Sequence, residues 1–501
     1  MYNSVNPRKV GGVRLTLHGK HTKIVATIGP ASQDAETLRA MIRAGMNVAR
    51  INFSHGDHET HGKVIDRVRR IAEEEDTVVA ILCDIQGPKI RIGELAQEPT
   101  ILYPGESITL TLDEVVGSNG LVSLPHPEFL KDITAGTNLL LDDGNLQFKV
   151  NDSSSRELVC EVVVGGPLKS RKGVSAPNAQ LTLSAITAKD REDVKFALAK
   201  NCDYLAMSFV RSANDIREMQ NLMKDLGEEA AIIAKIEMGE ALENIEEIIT
   251  VCQGIMVARG DLGIETPAEE VPFHQKRIIN LCNDVAKPVI TATQMLESMT
   301  ENPRPTRAEA SDVYNAIIDG TDAIMLSAES ASGNYPVRAV EVMSKIALIA
   351  EEHLKNLAEK ADSPAKISAN GAKSREFISD AICRATFDIS RFINPTAIVT
   401  TSLSGYTTRR VAKERPRTPI LCMTPSATTQ RRMALVWGVI PLLVPEFGSI
   451  DEMISIIIRA AHDRGLVARG DRLVIIAGVP FGIDGQTNLI KIHTVGQEGE
   501  I

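Results

Sequence analysis

The chain has 501 residues, more than one hydrophobic core usually organises, and a prior of about 150 residues per domain predicts roughly three domains. Hydrophobic residues make up 43% and charged residues 24%, an ordinary globular composition, and no apolar run approaches the roughly 20 residues of a membrane span. The net charge of −10, with 55 basic against 65 acidic side chains, and an aromatic content of 4% argue against nucleic acid as a partner, which demands a broad basic surface and stacking platforms. The first residues, MYNSVNPRKVGGVRL, lack the apolar stretch of a secretory signal, and seven cysteines are scattered singly. A cytoplasmic protein without disulfides is the expectation.

Short β-rich apolar runs separated by helical patterns fall at residues 21–28, 46–52, 78–85, 202–209, 231–237, 254–260, 288–294 and 322–327. Continuous Val, Ile, Leu and Ala runs are what strands buried on both faces look like, and eight of them alternating with helices predict a (β/α)₈ TIM barrel. The spacing breaks after the third run. About 90 residues, 88–177, turn to a Thr-, Gly- and Pro-punctuated pattern in which Asp143-Gly144 reads as a hairpin turn, predicting an all-β domain inserted into a barrel loop. A small-residue polar tract at 358–374 reads as a linker. Beyond it, strands at 396–400, 418–424, 439–444, 472–477 and 489–495 alternate with helices and predict a second, smaller α/β domain. The division expected is an N-terminal extension 1–18, a barrel 19–87 and 178–357, an inserted lid 88–177 and a C-terminal domain 358–501.

Active sites of such barrels gather at the C-terminal ends of the strands. Nearly every predicted strand end is loaded: Arg50, Asn52, Ser54 and His55; Asp84 with Lys89 and Arg91; Ser208; Lys235 and Glu237; Arg259 and Asp261; Thr293 and Gln294; Ser327 and Glu329. Glu237 and Asp261 end adjacent runs with Lys235 beside them. Oxygen ligands of this kind suit Mg²⁺, with Mn²⁺ as a substitute, and glycines 260 and 263 leave the backbone open to a ligand. Three cations (Arg50, Arg91, Lys235) facing two carboxylates suit a highly anionic substrate carrying phosphate and carboxylate. No Walker or paired-glycine fingerprint is present, so the chemistry would rest on positioning and electrostatics. Taken singly, each charged residue has a plainer reading as an exposed strand-end ion pair; the concentration at the strand ends is what favours a site.

Six motifs in order, MNVARINFSHG, CDIQGPKIRIG, AKIEMGE, MVARGDLGIE, TATQMLESM and PTRAEASDVYNAIIDGTDAIMLSAESA, make the chain resemble the pyruvate kinase family from about His18 to Gly496. The resemblance implies a barrel with a mobile β-domain lid, a C-terminal effector-binding domain, a homotetramer, and transfer of the phosphoryl group of phosphoenolpyruvate to ADP. It implies that Glu237 and Asp261 hold Mg²⁺, that Lys235 stabilises the transferring group, that Arg50 grips the phosphate, and that Ser208 contributes to the substrate site. Gly260 and Asp261 would offer backbone amides to the substrate carboxylate, and Thr293 would serve protonation of the enolate. Asn52, His55, Arg91, Lys195 and the lid residue Asp143 would contact the nucleotide. The monovalent-cation pocket would be Asn52, Ser54, Asp84 and Ile85.

The chain departs from potassium-requiring members, which carry Thr-Lys-Gly-Pro-Glu after the strand-three aspartate. Here Asp84 is followed by Ile85, Gln86, Gly87, Pro88 and Lys89, and the expectation is that the Lys89 ammonium replaces potassium. Ser402, Ser404, Gly405, Tyr406 and Thr407, opening a helical pattern, read as a phosphate cradle or as a simple helix cap. By resemblance the cradle is an effector site, and Leu403, where some bisphosphate-activated relatives carry Lys, points to a monophosphate such as AMP or a sugar monophosphate. Two other functions fit part of this pattern: another Mg²⁺-dependent barrel enzyme using phosphoenolpyruvate, and a catalytically inactive metabolite sensor.

Overall fold

The computed structural model describes residues 19–177, 179–360, 375–482 and 485–497. The expected extension 1–18, most of the linker tract at 361–374, residue 178 where the barrel was expected to resume, and residues 483–484 and 498–501 lie outside the described residues.

Eight parallel strands close into a barrel in sequential order: Lys23–Thr27, Val48–Asn52, Ala80–Asp84, Tyr204–Met207, Ala231–Ile236, Gly254–Ala258, Val289–Ala292 and Ala323–Leu326. All eight predicted runs contain one. Alternate residues of each strand face opposite sides. Val25, Val48, Leu82, Ala206, Ile233, Met256, Ile290 and Met325 pack into one buried cluster inside the barrel, while Ile24, Ile51, Leu205, Ile232, Val257 and Ile324 pack with the surrounding helices in another. Both faces are therefore buried, which is why the runs carry no polar alternation.

Between the third and fourth barrel strands lies a six-stranded sheet, ordered Val174–Ser175, Asn138–Leu141, Leu146–Ser153, Glu157–Val164, Ser107–Thr111, Leu121–Ser123, with a separate two-stranded ribbon. It has its own core around Phe129, Leu139, Phe148 and Leu158. Leu141 pairs with Leu146, so residues 142–145 form the hairpin turn. Asp142, Asp143 and Gly144 all have positive φ (51°, 56° and 86°), a backbone that Asp and Gly accept more readily than other residues.

The helix Pro336–Lys360 runs past residue 357 before the linker tract begins. The C-terminal sheet is ordered Val439–Leu443, Ile420–Thr424, Ala397–Thr401, Arg472–Ala477, Leu489–Thr494, and its last strand is antiparallel. The helix Ile450–Asp463 packs on one face, and Tyr406–Lys413 on the other. Ala434 and Leu435 of this domain join the cluster inside the barrel, so the C-terminal domain plugs the barrel floor. Around the plug, Arg431 Nε meets Asp203 at 2.7 Å, Arg432 Nε donates to the Asp203 carbonyl and Arg415 pairs with Asp322. All seven cysteines are free and buried. Among the described residues no helix is long and apolar enough to cross a membrane.

Candidate active site

The second and third barrel strands run in register, Asn52 beside Asp84 and Arg50 beside Leu82. This places a guanidinium over a buried carboxylate: Arg50 Nε donates to Asp84 Oδ2 at 2.7 Å and its Nη1 to Thr27 Oγ1 at 2.9 Å. From the fifth strand Lys235 Nζ reaches Ser208 Oγ at 2.7 Å, Glu237 Oε1 at 2.7 Å and Asp84 Oδ1 at 3.3 Å. Ser208 in turn donates to the Ile85 carbonyl at 2.8 Å. Five successive strand ends, from Thr27 to Lys235 and Glu237, thus share one buried network.

Burial disfavours charge on each member, so the sign of every shift depends on its neighbours. Burial lowers the Lys235 ammonium, but Asp84 and Glu237 outweigh it and hold its pKa above the ordinary value. Burial likewise opposes ionisation of Asp84, yet the charges of Lys235 and Arg50 keep its carboxyl below the ordinary range. Glu237 goes the other way: burial first, and then the charge of Asp261, raise it despite Lys235. A buried carboxylate that remains short of positive charge beside a second carboxylate is a donor set that suits a divalent oxygen-seeking cation. Among the described residues no group of three or more His, Cys, Asp or Glu stands ready for a metal, and Mg²⁺ needs only one or two carboxylates.

The sixth and seventh strands end in a second cluster. The helix Arg259–Glu265 begins there; Gly260 N donates to Thr293 Oγ1 at 2.8 Å, and that hydroxyl donates to the Ala292 carbonyl at 2.6 Å. Thr293 and Gln294 have φ of +67° and +53°. A cavity of about 500 Å³ between this helix and the lid is lined by Gly260, Asp261, Gln294 and the hairpin residue Asp143. Further along the helix, burial and then Asp261 raise the Glu265 carboxyl to about 7.

The other expected residues scatter. Asn52 Oδ1 accepts from Ser54 N at 3.1 Å, and Ile85 is buried against Ser208. Lys89 is exposed, and among the described residues the charged partners of Asp84 are Arg50 and Lys235. The ammonium expected in the potassium position is therefore not at Asp84 here, where two other cations already surround the carboxylate. Lys195 is exposed on the helix Ala188–Ala199. Its neighbour Lys189 is the one that turns toward the barrel mouth, donating to the Phe53 carbonyl at 2.7 Å and to Asp193 at 2.6 Å. In the lid, Arg91 Nη1 donates to the Arg171 carbonyl at 3.1 Å, and Lys172 pairs with Asp142, next to Asp143. Lys172 and Lys189 were absent from the sequence-derived list; the Lys189–Asp193 spacing of four residues was the legible signal for the second.

In the C-terminal domain a cavity of about 610 Å³ is lined by Ser402, Leu403, Thr407, Glu446, Ser449, Phe481 and others. Gly405 has φ +78° and caps the helix Tyr406–Lys413. Thr407 Oγ1 bonds Thr487 Oγ1 at 2.8 Å. Arg409 Nη1 donates to the Ser404 carbonyl at 3.0 Å, and Arg410 lies over the Tyr406 ring and pairs with Asp380.

Comparison with known proteins decides the family. Residues 19–340 match the model described as pyruvate kinase, barrel domain, and residues 380–493 the model described as pyruvate kinase, alpha/beta domain. The chain belongs to the pyruvate kinase family. It is 46% identical over 479 residues to the pyruvate kinase of Geobacillus stearothermophilus, covering 95% of this chain and 80% of that one. It is 43% identical to those of Staphylococcus aureus strain MRSA252, with 96% and 81% covered, and Sporosarcina psychrophila, with 95% and 81% covered. The chain is accordingly a phosphotransferase, and enzymes of this family generally use Mg²⁺ and K⁺.

Proposed function

We propose that the network at the barrel mouth carries the reaction of this family, in which the phosphoryl group of phosphoenolpyruvate passes to ADP to give pyruvate and ATP. The observation that carries the reading is the buried convergence of Arg50, Asp84, Ser208, Lys235 and Glu237. In this division of labour Arg50 binds the substrate phosphate with a guanidinium already oriented by Asp84 and Thr27. Lys235, kept protonated by its two carboxylates, offsets the charge that spreads over the transferring group as the P–O bond to the enol oxygen breaks and one to an ADP oxygen forms. Ser208 orients that ammonium. The amides of Asp261 and of Gly260, the latter exchanging its bond to the Thr293 hydroxyl, bind the substrate carboxylate, and the Thr293 hydroxyl, leaving the Ala292 carbonyl it rests on, delivers a proton to the methylene carbon. Glu237 and Asp261 hold Mg²⁺ or Mn²⁺, which supplies Lewis-acid stabilisation of the enolate oxygen when bound.

Asn52, His55, Arg91 and Asp143 contact the nucleotide when the lid closes over the cavity and excludes water. Lys195 contacts the nucleotide phosphates in the same reading, and Lys172, paired with Asp142 of the lid hairpin, is a second candidate cation for them. The reading requires ADP-dependent pyruvate formation. Pyruvate released equally fast without ADP, or only with an aldehyde acceptor, would overturn it in favour of another phosphoenolpyruvate-using barrel.

Three finer points belong to the same proposal. Activity does not require potassium: although the Lys89 ammonium is exposed, Asp84 already holds two cations, Arg50 and Lys235. Many-fold stimulation by potassium chloride beyond an ionic-strength control would contradict this. The cradle of Ser402, Ser404, Gly405, Tyr406 and Thr407 binds a phosphorylated effector, with AMP or a sugar monophosphate favoured because Leu403 and Glu446 line the cavity and offer no cation to a second phosphate. Changing Ser404 and Thr407 together to Ala should abolish activation by such a monophosphate and leave basal turnover intact. The chain assembles as a homotetramer, a reading favoured by the exposure of Phe273 and Phe392 at 65% and 85%; sedimentation of a monomer would refute it.

A further inference from the structure

Arg259 stands beside the carboxylate Asp261, and its guanidinium turns to the loop after the seventh strand. Its Nη2 donates to the Thr293 carbonyl at 2.7 Å and the Gln294 carbonyl at 3.5 Å, and its Nε to the Ala292 carbonyl at 3.3 Å. The same Nη2 lies 2.8 Å from Met295 Sδ. Nη1 pairs with Asp312 at 2.7 Å, and also reaches Gln275 Oε1 at 3.4 Å. One side chain, 10% exposed, therefore gathers three successive carbonyls. Two of them belong to residues with a left-handed backbone: Thr293 is β-branched and sits at φ +67°, followed by Gln294 at +53°. A β-branched residue in the left-handed region persists only where its surroundings over-determine it. The planar fork of arginine, fixed at its far end by Asp312, provides that constraint, which a point-charge ammonium does not.

We propose that Arg259 is a positioning residue for the proton-transfer half of the reaction: it holds the Thr293 backbone in the left-handed conformation and thereby fixes the place from which the Thr293 hydroxyl, resting on the Ala292 carbonyl at 2.6 Å without substrate, turns to the enolate carbon. The inference rests on the role given to Thr293 above. In that step the carbon–carbon double bond of enolpyruvate supplies the electron pair, the hydroxyl proton forms the new C–H bond, and the oxygen recovers a proton from water. The reverse step exchanges the methyl hydrogens of pyruvate with solvent.

The test follows incorporation of solvent deuterium into the pyruvate methyl group by NMR, with enzyme, Mg²⁺ and ATP, alongside rapid-quench ATP formation from phosphoenolpyruvate and ADP. Arg259→Lys should slow methyl exchange by about 10- to 100-fold, the scale of a reacting group displaced by about 1 Å. ATP formation and the half-saturation for phosphoenolpyruvate should stay within about two-fold. Asp312→Asn, which frees the far end of the fork, should slow exchange in the same direction by less, and serves if Arg259→Lys does not fold. Loss of both activities in parallel, or undiminished exchange in both variants, would overturn the proposal. Thr293→Ala separates the two ideas: if it retains full exchange, the role of Thr293 itself falls; if it loses exchange while the Arg259 and Asp312 variants keep it, only the positioning role falls.

Discussion

Lys23 begins the first barrel strand, fully buried, and donates its ammonium to the Val439 carbonyl of the C-terminal sheet at 2.7 Å. Burial lowers its pKa from 10.5 to about 8, with Glu351 and Asp322 resisting. The unfolded chain keeps this proton up to about 10.5, so between about 8 and 10.5 it binds the extra proton, and the folded state gains stability as pH rises. Below 8 both states are protonated and the burial penalty is constant. Relative to the wild type, Lys23→Met should therefore lose ground as pH rises through this window, measured as the difference in urea midpoints. A difference independent of pH would show that Lys23 titrates normally. Of the residues expected from sequence, Arg50, Asp84, Ser208, Lys235 and Glu237 come together in one network, because strand ends are fixed by the apolar runs and a charged residue at the end of a buried run has the barrel mouth to enter. The sequence could not say where long side chains turn. Lys89 and Lys195 lie in suggestive positions yet are exposed, while Arg259 curls to a loop more than thirty residues away.

The hairpin turn at residues 142–145 is the element that brings the lid to the barrel. Its backbone is left-handed at three consecutive residues, which fixes the direction in which Asp143 leaves the turn and places it on the cavity shared with Asp261. Asp143→Ala should raise the half-saturation for Mg·ADP by about 10- to 100-fold and leave that for phosphoenolpyruvate nearly unchanged, as expected when one charge-assisted contact of about 1.5–3 kcal/mol is removed from one substrate. Equal changes for both substrates in steady-state kinetics would place Asp143 in general lid stability instead. The hairpin itself was legible from Asp-Gly between apolar runs. The left-handed Thr293 was not, because no propensity predicts a β-branched residue there; only the surrounding bonds explain it.

For the molecule as a whole, the strand runs disclosed a barrel, an inserted β unit and an α/β unit, because burial on one or two faces leaves different patterns in sequence. How the units meet was hidden, since an apolar pair such as Ala434-Leu435 looks like any core segment. In the fold that pair fills the barrel floor, with Asp203 and Asp322 binding arginines around it. Leu435→Ala should cost about 2–5 kcal/mol in equilibrium unfolding, the range for a buried leucine leaving a cavity, and should uncouple melting of the C-terminal domain from that of the barrel. A change below about 0.5 kcal/mol, the scale of an ordinary surface substitution, would mean that the plug does not bind the domains together. The buried network around Lys235 is proposed to perform the phosphoryl transfer. Rapid-quench measurement of ATP formed from phosphoenolpyruvate and ADP by Lys235→Met tests it most directly, with folding verified by an unchanged thermal transition. The expected rate is lower by about 10²–10³ or more, because one preorganised cation facing the developing charge has been removed. A folded variant forming ATP at close to the wild-type rate would contradict it.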